Sequence, residues 1–223
     1  MTRRMIAPIL FGIFGIAVLI WLGVWQLHRL QWKETMLADI GARITAAPVA
    51  LPASPDPVRD RFLPVEASGT LGAELRVLTS VKQAGPGYRI LNVFDTGGRR
   101  VLLDRGFMSN RVKEGPLPEG PVHVIGNLHW PDETDSFTPD PEIDKNLWFA
   151  RDVSAMADQM GTEPVLIVAR RIDPPSDTIS PLPVDTSGIP NNHLQYAITW
   201  FLLAVVWLGM TGLLLWRIRQ RAD

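Results

Sequence analysis

The chain has 223 residues, of which 46% are hydrophobic and 20% charged, and its formal net charge is −1. A charge this close to neutral argues against nucleic acid as the main partner, because binding to phosphates needs a clear excess of basic residues. The sequence contains no cysteine, which excludes disulfides, thiolate metal sites and thiol redox chemistry. Two long apolar runs lie near the two ends, with most acidic residues and prolines between them. This distribution predicts two membrane helices flanking a water-exposed region.

The first apolar run covers residues 5–27 and follows Arg3 and Arg4. It is long enough to cross a hydrocarbon core of roughly 30 Å and longer than the apolar region of a cleavable signal peptide. We therefore expect an uncleaved transmembrane helix whose helical pattern continues to about residue 40. A signal peptide that is removed after export is the alternative. Residues 1–4 are expected to be cytoplasmic, because a positive flank marks that side.

The second apolar run covers residues 191–216 and has no charged residue from Leu194 to Trp216. Three arginines in the segment 217–223 follow it, so this end is also predicted to be cytoplasmic. The region between the two helices is then periplasmic. Only about four residues precede the first helix, which leaves no room for an amphipathic transit peptide. We therefore expect a multi-pass protein of a bacterial inner membrane.

The predicted periplasmic domain covers residues 46–190. A proline-rich linker, 46–60, is followed by alternating apolar and polar residues, which predict strands over 65–70, 74–83, 88–95, 99–108, 121–130, 147–151 and 164–172. The glycine turn at 96–98 predicts a hairpin, and a helix is predicted from its cap at Asp152 to Gly161. We expect a mostly antiparallel β domain, a small barrel or sandwich with one short helix. A proline-rich segment, 173–190, returns the chain to the membrane.

This domain carries no recognisable catalytic constellation. No serine lies in a glycine-rich elbow, and residues 85–87 lack the lysine and following helix of a phosphate-binding loop. His123 and His129 share one strand face, but at six residues apart they are too distant for a metal pair without further ligands.

Charged residues of the domain are interpreted as structural. Asp104 and Arg105 suggest an ion pair, and Asp132, Glu133 and Asp135 suggest a solvated acidic turn. Neither group is combined with a nucleophile or a base. We therefore predict that the protein is not an enzyme.

The end of the first helix carries a stripe of aromatic and polar residues at helical spacing. The stripe consists of Leu22, Trp25, Gln26, Arg29, Trp32 and Lys33. One interpretation is a membrane interface belt, in which the tryptophans lie at headgroup depth and the basic residues reach lipid phosphates. The other is that the stripe faces the second helix or a bound anionic ligand.

The second helix begins near His193, and Tyr196 and Trp200 fall on nearly the same side of it. If both termini are cytoplasmic, His28 and Arg29 at the end of the first helix lie at a membrane depth similar to that of His193. The helix N-terminus favours an uncharged imidazole and, together with Arg29, attracts carboxylates. An axial imidazole, flanking aromatics and cations for propionates describe a haem site. The alternative is that His193 and Tyr196 are simply interfacial residues.

Three segments resemble the surfeit locus protein one family of cytochrome oxidase assembly factors. Residues 22–33 are similar to that family's glycine, Trp-Gln, arginine and Trp-Lys pattern at the end of the first helix. Residues 87–91 followed by 101–107 resemble its strand pair, in which an asparagine often stands at the place of Asp104. Residues 192–201 resemble its signature at the second helix. The three segments occur in the family's order and span most of the chain.

The resemblance implies a non-enzymatic chaperone for haem-copper cytochrome c oxidase, which helps haem a reach the catalytic subunit in respiratory chain biogenesis. It places the expected axial histidine at His193 and the matching downstream tryptophan at Trp200. Arg29 is the candidate propionate partner, His28 a possible second ligand, and Tyr196 and Trp25 complete the candidate site. The implied partners are the oxidase catalytic subunit, haem a synthase and membrane lipids. The alternative is an anchored scaffold that binds the oxidase subunit or an assembly intermediate without carrying haem.

Overall fold

The computed structural model describes residues 5–82, 84–113 and 115–221. The chain divides into two compact units, one of Met1–Asp39 with Thr186–Asp223 and one of Ile40–Asp185. The first holds most of the two long helices and the second holds the sheet. The limits of the second unit differ by a few residues at each end from the predicted domain of 46–190.

The helices are α1 (Ile6–Thr45), α2 (Val153–Met160) and α3 (His193–Gln220). Both α1 and α3 are long and apolar enough to cross a membrane. Their large apolar side chains are mostly exposed, as at Phe14 and Val205, which suits contact with lipid chains. α1 continues past the predicted end near residue 40, and α3 continues past 216 into its basic last turn. Basic residues there favour a longer helix, because they complement the helix dipole at its C-terminus.

One sheet contains all the strands assigned within the described residues. They are β1 (Val49–Ala50), β2 (Pro64–Val81), β3 (Gly85–Asp95), β4 (Arg100–Ser109), β5 (Val122–Leu128), β6 (Leu147–Trp148) and β7 (Leu166–Asp173). The predicted strands 65–70 and 74–83 are one long strand, β2, and position 83 lies outside the described residues. β1 falls in the predicted linker, and β6 is shorter than the predicted 147–151.

Long strand β2 closes the sheet into a small barrel. It pairs with β5 over Pro64–Gly69 and with β3 over Thr70–Val81. β3 pairs with β4, β4 with β7, and β7 with β5, so five strands form a ring. Only the β4–β7 pairing of this ring is parallel. Gly69 lies where β2 passes between partners, and a Cβ there would lie 2.2 Å from the carbonyl oxygen of Asp95.

Strand β4 is buried on both faces. Leu102 and Leu103 are both fully buried although neighbouring side chains on a strand point to opposite faces. Leu103 belongs to one core cluster, while Leu102 packs in a second cluster with Met156 of α2. α2 therefore covers one face of the sheet. As predicted, it is capped by the Asp152 carboxylate and ends at Gly161 in the left-handed conformation.

A buried carboxylate on β4 joins separate parts of the second unit. The side chain of Asp104 is fully buried, and its Oδ2 accepts from Arg89 Nε at 2.8 Å and Arg151 Nη1 at 3.1 Å. Arg151 is also paired with Glu133. Arg89 in turn donates to the Leu182 carbonyl oxygen at 2.6 Å. The cluster thus ties the loop around Glu133 and the proline-rich segment around Leu182 to the barrel.

These contacts correct one expectation from the sequence and add a partner to another residue. Asp104 is paired with two distant arginines instead of Arg105, because adjacent side chains on a strand point to opposite faces. Arg105 donates to Asn92 Oδ1. Glu133 is exposed, as expected of a solvated turn, but its carboxylate also pairs with Arg151. Against the effect of partial desolvation, the hydrogen bond and charge of Arg151 hold the pKa of Glu133 below its usual value.

Replacing Asp104 by alanine is expected to lower the free energy of unfolding by about 3–5 kcal/mol, because it removes the carboxylate from two largely buried guanidinium groups. Urea unfolding of the full chain in detergent measures this. Glu142→Ala is the control, since it breaks an ion pair with Lys145 whose side chains are 42% and 74% exposed, and little change is expected there. Equal losses in both variants would contradict the structural importance of the buried cluster.

His129 follows β5 and stacks on Phe62, with the ring centroids 5.3 Å apart. Its Nδ1 is buried and has no hydrogen-bond partner within the described residues. Burial lowers the pKa of His129 to about 4, and the nearby charges of Arg151 and Arg61 act in the same direction. The folded state therefore favours the neutral ring.

His129 is expected to make folding depend on pH. Between about pH 6.5 and pH 4 the unfolded chain binds a proton at this ring that the folded chain does not bind, so the contribution of His129 to stability is complete above this window and is lost as the pH falls through it. In His129→Gln the melting temperature should fall less steeply across this window. His123→Gln, at an exposed position, should keep the parent's slope. An unchanged slope in His129→Gln would assign the effect to other groups.

Candidate functional site

The two long helices approach each other through glycines on α1. A Cβ placed on Gly12, Gly15 or Gly23 would lie 2.3 to 2.6 Å from a side-chain atom of α3. The facing residues are Thr211, Trp207 and Phe201 respectively. Contacts shorter than 3 Å would force the facing side chains to shift if any of these glycines carried a side chain, so glycine permits the close approach. The pairs also show that α1 and α3 run antiparallel.

Continuing this register brings Gln26 of α1 to His193, the first residue of α3. The Nδ1 atom of His193 lies 2.8 Å from Oε1 of Gln26. Gln26 is 9% exposed and His193 is half-buried. A polar contact is therefore made at the edge of an otherwise apolar helix pair. This is the one hydrogen bond between side chains of α1 and α3 found within the described residues.

Trp200 lies two turns into α3 from His193. Its side chain is half-buried, and its indole Nε1 is buried without a hydrogen-bond partner within the described residues. An indole in this position offers an apolar wall and an unused donor. The role of Trp200 beside a large planar ligand stays a prediction.

The other predicted site residues are exposed. Tyr196 is 54% and Trp25 45% exposed, and His28 and Arg29 are also on the surface of the first unit. His28 lies roughly 200° around α1 from Gln26, so it points away from the side that meets α3. The site residues predicted from sequence are thus divided, with His193 and Trp200 at or near the helix pair and the others facing outward.

Arg29 lies on the same side of α1 as the aromatic stripe. Its guanidinium carbon is 4.7 Å from the ring centroid of Trp32, which is a cation–π contact. The described residues give Arg29 no carboxylate partner. The Trp32 contact agrees with an interface belt and leaves the donors of Arg29 available to an external anion.

Gln26 is the residue that sequence reasoning did not place in the site. The sequence analysis included it in the stripe that faces either the second helix or a ligand. In the structure, Gln26 itself faces the second helix. Its signal was its place in that stripe, next to Trp25 and one turn before Arg29. Its partner depended on the register between two segments that are 167 residues apart.

A sequence profile of the SURF1 family matches residues 13–205, which include every segment of the resemblance noted above. The chain belongs to the SURF1 family. Human Surfeit locus protein 1 is 29% identical over 208 residues, covering 81% of this chain and 68% of the human protein. A SURF1-like protein of Monosiga brevicollis is 30% identical over 216 residues, covering 85% and 80% of the two chains. A SURF1-like protein of Rickettsia felis is 30% identical over 203 residues, covering 84% of this chain and 88% of the Rickettsia protein.

The matched region of the family includes the whole barrel, most of α1 and the first part of α3. It begins at residue 13, within α1, and ends at residue 205, within α3. Gln26, His193 and Trp200 all lie inside it. The polar contact and the packing of Gly23 against Phe201 are therefore part of the region that this SURF1 family member shares with the family profile, whereas Thr211 and Trp207 lie beyond it.

Cysteines introduced at positions 12 and 211 are expected to form a disulfide, because a Cβ at Gly12 would lie 3.2 Å from the Cβ of Thr211, close to the disulfide range of about 3.5–4.5 Å. The chain has no other cysteine, so gel mobility after proteolysis of the intervening region reports this bond alone. Cysteines at 12 and 209 are the control, since a Cβ on Gly209 meets nothing within 4 Å. Equal oxidation of the two pairs would contradict the register of α1 and α3.

Proposed function

We propose that this SURF1 family member is a non-enzymatic assembly factor for haem-copper cytochrome c oxidase that binds haem a and assists its insertion into the catalytic subunit. One observation carries the proposal: a half-buried histidine begins α3, where it is held against α1 by Gln26. An imidazole fixed through one ring nitrogen can use the other to bind iron.

The residues around His193 are compatible with haem as a cargo. His193 supplies an axial nitrogen and Trp200 an apolar wall. Arg29 supplies a guanidinium without a carboxylate partner within the described residues, which suits a propionate. Trp25 and Tyr196 are exposed aromatics that a macrocycle would cover. His28 faces away from the helix contact, so we assign the site a single protein ligand, which suits a carrier that must release its cargo.

The proposed setting follows from the two apolar helices. Both are long enough to span a bilayer, and the arginines at the end of α3 favour a cytoplasmic C-terminus. We place the protein in a bacterial inner membrane with both termini in the cytoplasm and the barrel in the periplasm. Its partners in this proposal are the oxidase catalytic subunit, which receives haem a, and haem a synthase, which supplies it.

A second function is favoured by a crevice in the barrel unit. The crevice has a volume of about 420 Å³ and is lined by prolines from two segments, including Pro116, Pro118, Pro174 and Pro175, with Arg105 at one side. Proline-lined surfaces are pre-ordered and lose little entropy when they bind a protein. In this second proposal the protein is an anchored scaffold that holds the oxidase subunit or an assembly intermediate and carries no haem.

The two proposals differ in the outcome of one purification. The full chain is isolated in detergent from cells that make haem a, and its absorption spectrum is compared with that of His193→Ala. Loss of the axial ligand is expected to lower haem occupancy by at least about tenfold, because even changes behind a metal ligand cost about 10–100-fold in affinity.

His28→Ala is the control for this experiment, because it removes an exposed histidine two residues from Gln26, and it should retain haem like the parent. A parent protein without haem, combined with normal oxidase assembly in cells that carry only His193→Ala, would favour the scaffold. An unchanged spectrum in His193→Ala would remove His193 as the ligand.

A further inference from the structure

We infer that Gln26 is a positioning residue for His193: it fixes the imidazole in one tautomer and directs the remaining nitrogen to the ligand. The role in iron binding rests on the proposed function, whereas the choice of tautomer does not. None of the site predictions made from sequence included Gln26.

The donor and acceptor can be assigned from the atoms in contact. Oε1 of Gln26 is an amide oxygen and can only accept, so Nδ1 of His193, at 2.8 Å, carries the hydrogen. In a neutral imidazole the other nitrogen, Nε2, then carries the free lone pair. No hydrogen bond to Nε2 occurs within the described residues. The contact therefore leaves available the nitrogen that points away from α1.

Burial of Gln26 makes this contact strongly preferred. Gln26 is 9% exposed and lies near the end of the apolar part of α1, where an amide without a partner is costly. Gly23 lies one turn away on the same helix, and Phe201 packs directly against it. The close helix contact at Gly23 limits how far Gln26 can move from α3. Gln26 is thus a fixed acceptor.

His193 makes no other side-chain hydrogen bond to the residues that the structure describes. It is the first residue of α3, and the preceding Asn192 makes no side-chain capping bond. The first residue of an uncapped helix frays readily. The bond to Gln26 is therefore what orients the ring. Histidines that bind metals usually donate their second nitrogen in the same way, and loss of that partner costs about 10–100-fold in metal affinity.

The chemical identity of the acceptor also has a consequence. A carboxylate in place of the amide would accept the same hydrogen, but it would draw the proton more strongly and make Nε2 a better electron donor. A stronger donor stabilises oxidised iron and lowers the reduction potential. The neutral amide of Gln26 orients the ring without this effect, which suits moderate binding and release of a cargo.

The first test measures the tautomer without any ligand. Full-length protein with ¹⁵N-labelled histidine is purified haem-free in detergent, and the His193 resonances are identified by their absence in His193→Ala. The parent should show Nδ1 protonated and Nε2 unprotonated. In Gln26→Met, which keeps the side-chain length but removes the acceptor, the two tautomers should mix. Gln31→Met is the matched control at an exposed position of the same helix. An unchanged tautomer in Gln26→Met would overturn the inference.

The second test measures haem a. Gln26→Met should retain it about tenfold less well than the parent, whereas Gln26→Glu should retain it with a more negative reduction potential, which a purely structural role of Gln26 would not produce. Gln31→Met should match the parent in both. Equal retention and potential in all variants, with haem still lost in His193→Ala, would overturn the role of Gln26 while the proposed function stands. A parent that binds no haem would overturn the proposed function and the iron-binding role together, and the ¹⁵N spectra would still decide the tautomer.

Discussion

Close contact between α1 and α3 depends on glycine. In a bilayer, lipid chains are as apolar as the helix surfaces, so water supplies no force that drives two such helices together. The attraction must therefore come from close packing of the two helix surfaces. Gly12, Gly15 and Gly23 leave space on α1 that Thr211, Trp207 and Phe201 occupy. Because these contacts extend along most of the pair, they fix the register in which the helices meet.

That register gives the chemistry of the site. Gln26 lies one turn beyond Gly23, and the same antiparallel alignment sets it against His193. A shift of one helical turn would separate the amide from the imidazole and leave both with unmatched polar groups near the membrane. The apolar contacts thus position a polar one, and the polar contact in turn favours one alignment over its neighbours. The contact between Gln26 and His193 lies within residues 13–205, which match the SURF1 family profile.

In the barrel unit, a buried cluster of charged residues fixes the positions of distant segments. Asp104 is fully buried, and such a carboxylate is tolerated because Arg89 and Arg151 supply hydrogen bonds and opposite charge. The two arginines also reach Leu182 and Glu133, which belong to segments with little regular structure. A single buried acid therefore orders the loops that cover the barrel. The strand pair around Asp104 is one of the segments that resemble the family, which agrees with a central structural position.

Local patterns in the sequence were enough to predict the two apolar helices, the hairpin of β3 and β4, and the capped helix α2. Each depends on neighbouring residues, such as Asp152 and Gly161 at the two ends of α2. The patterns also indicated that His193 and Trp200 stand on one side of α3.

Local patterns could not distinguish a barrel from a sandwich, since closure depends on β2 changing its partner at Gly69. They likewise misassigned the partner of Asp104, since it depends on Arg151, which is distant in the chain. Periodicity fixes the side of an element on which a residue lies, but contacts between distant segments depend on their register, and that is why only the folded chain revealed Gln26 as the partner of His193.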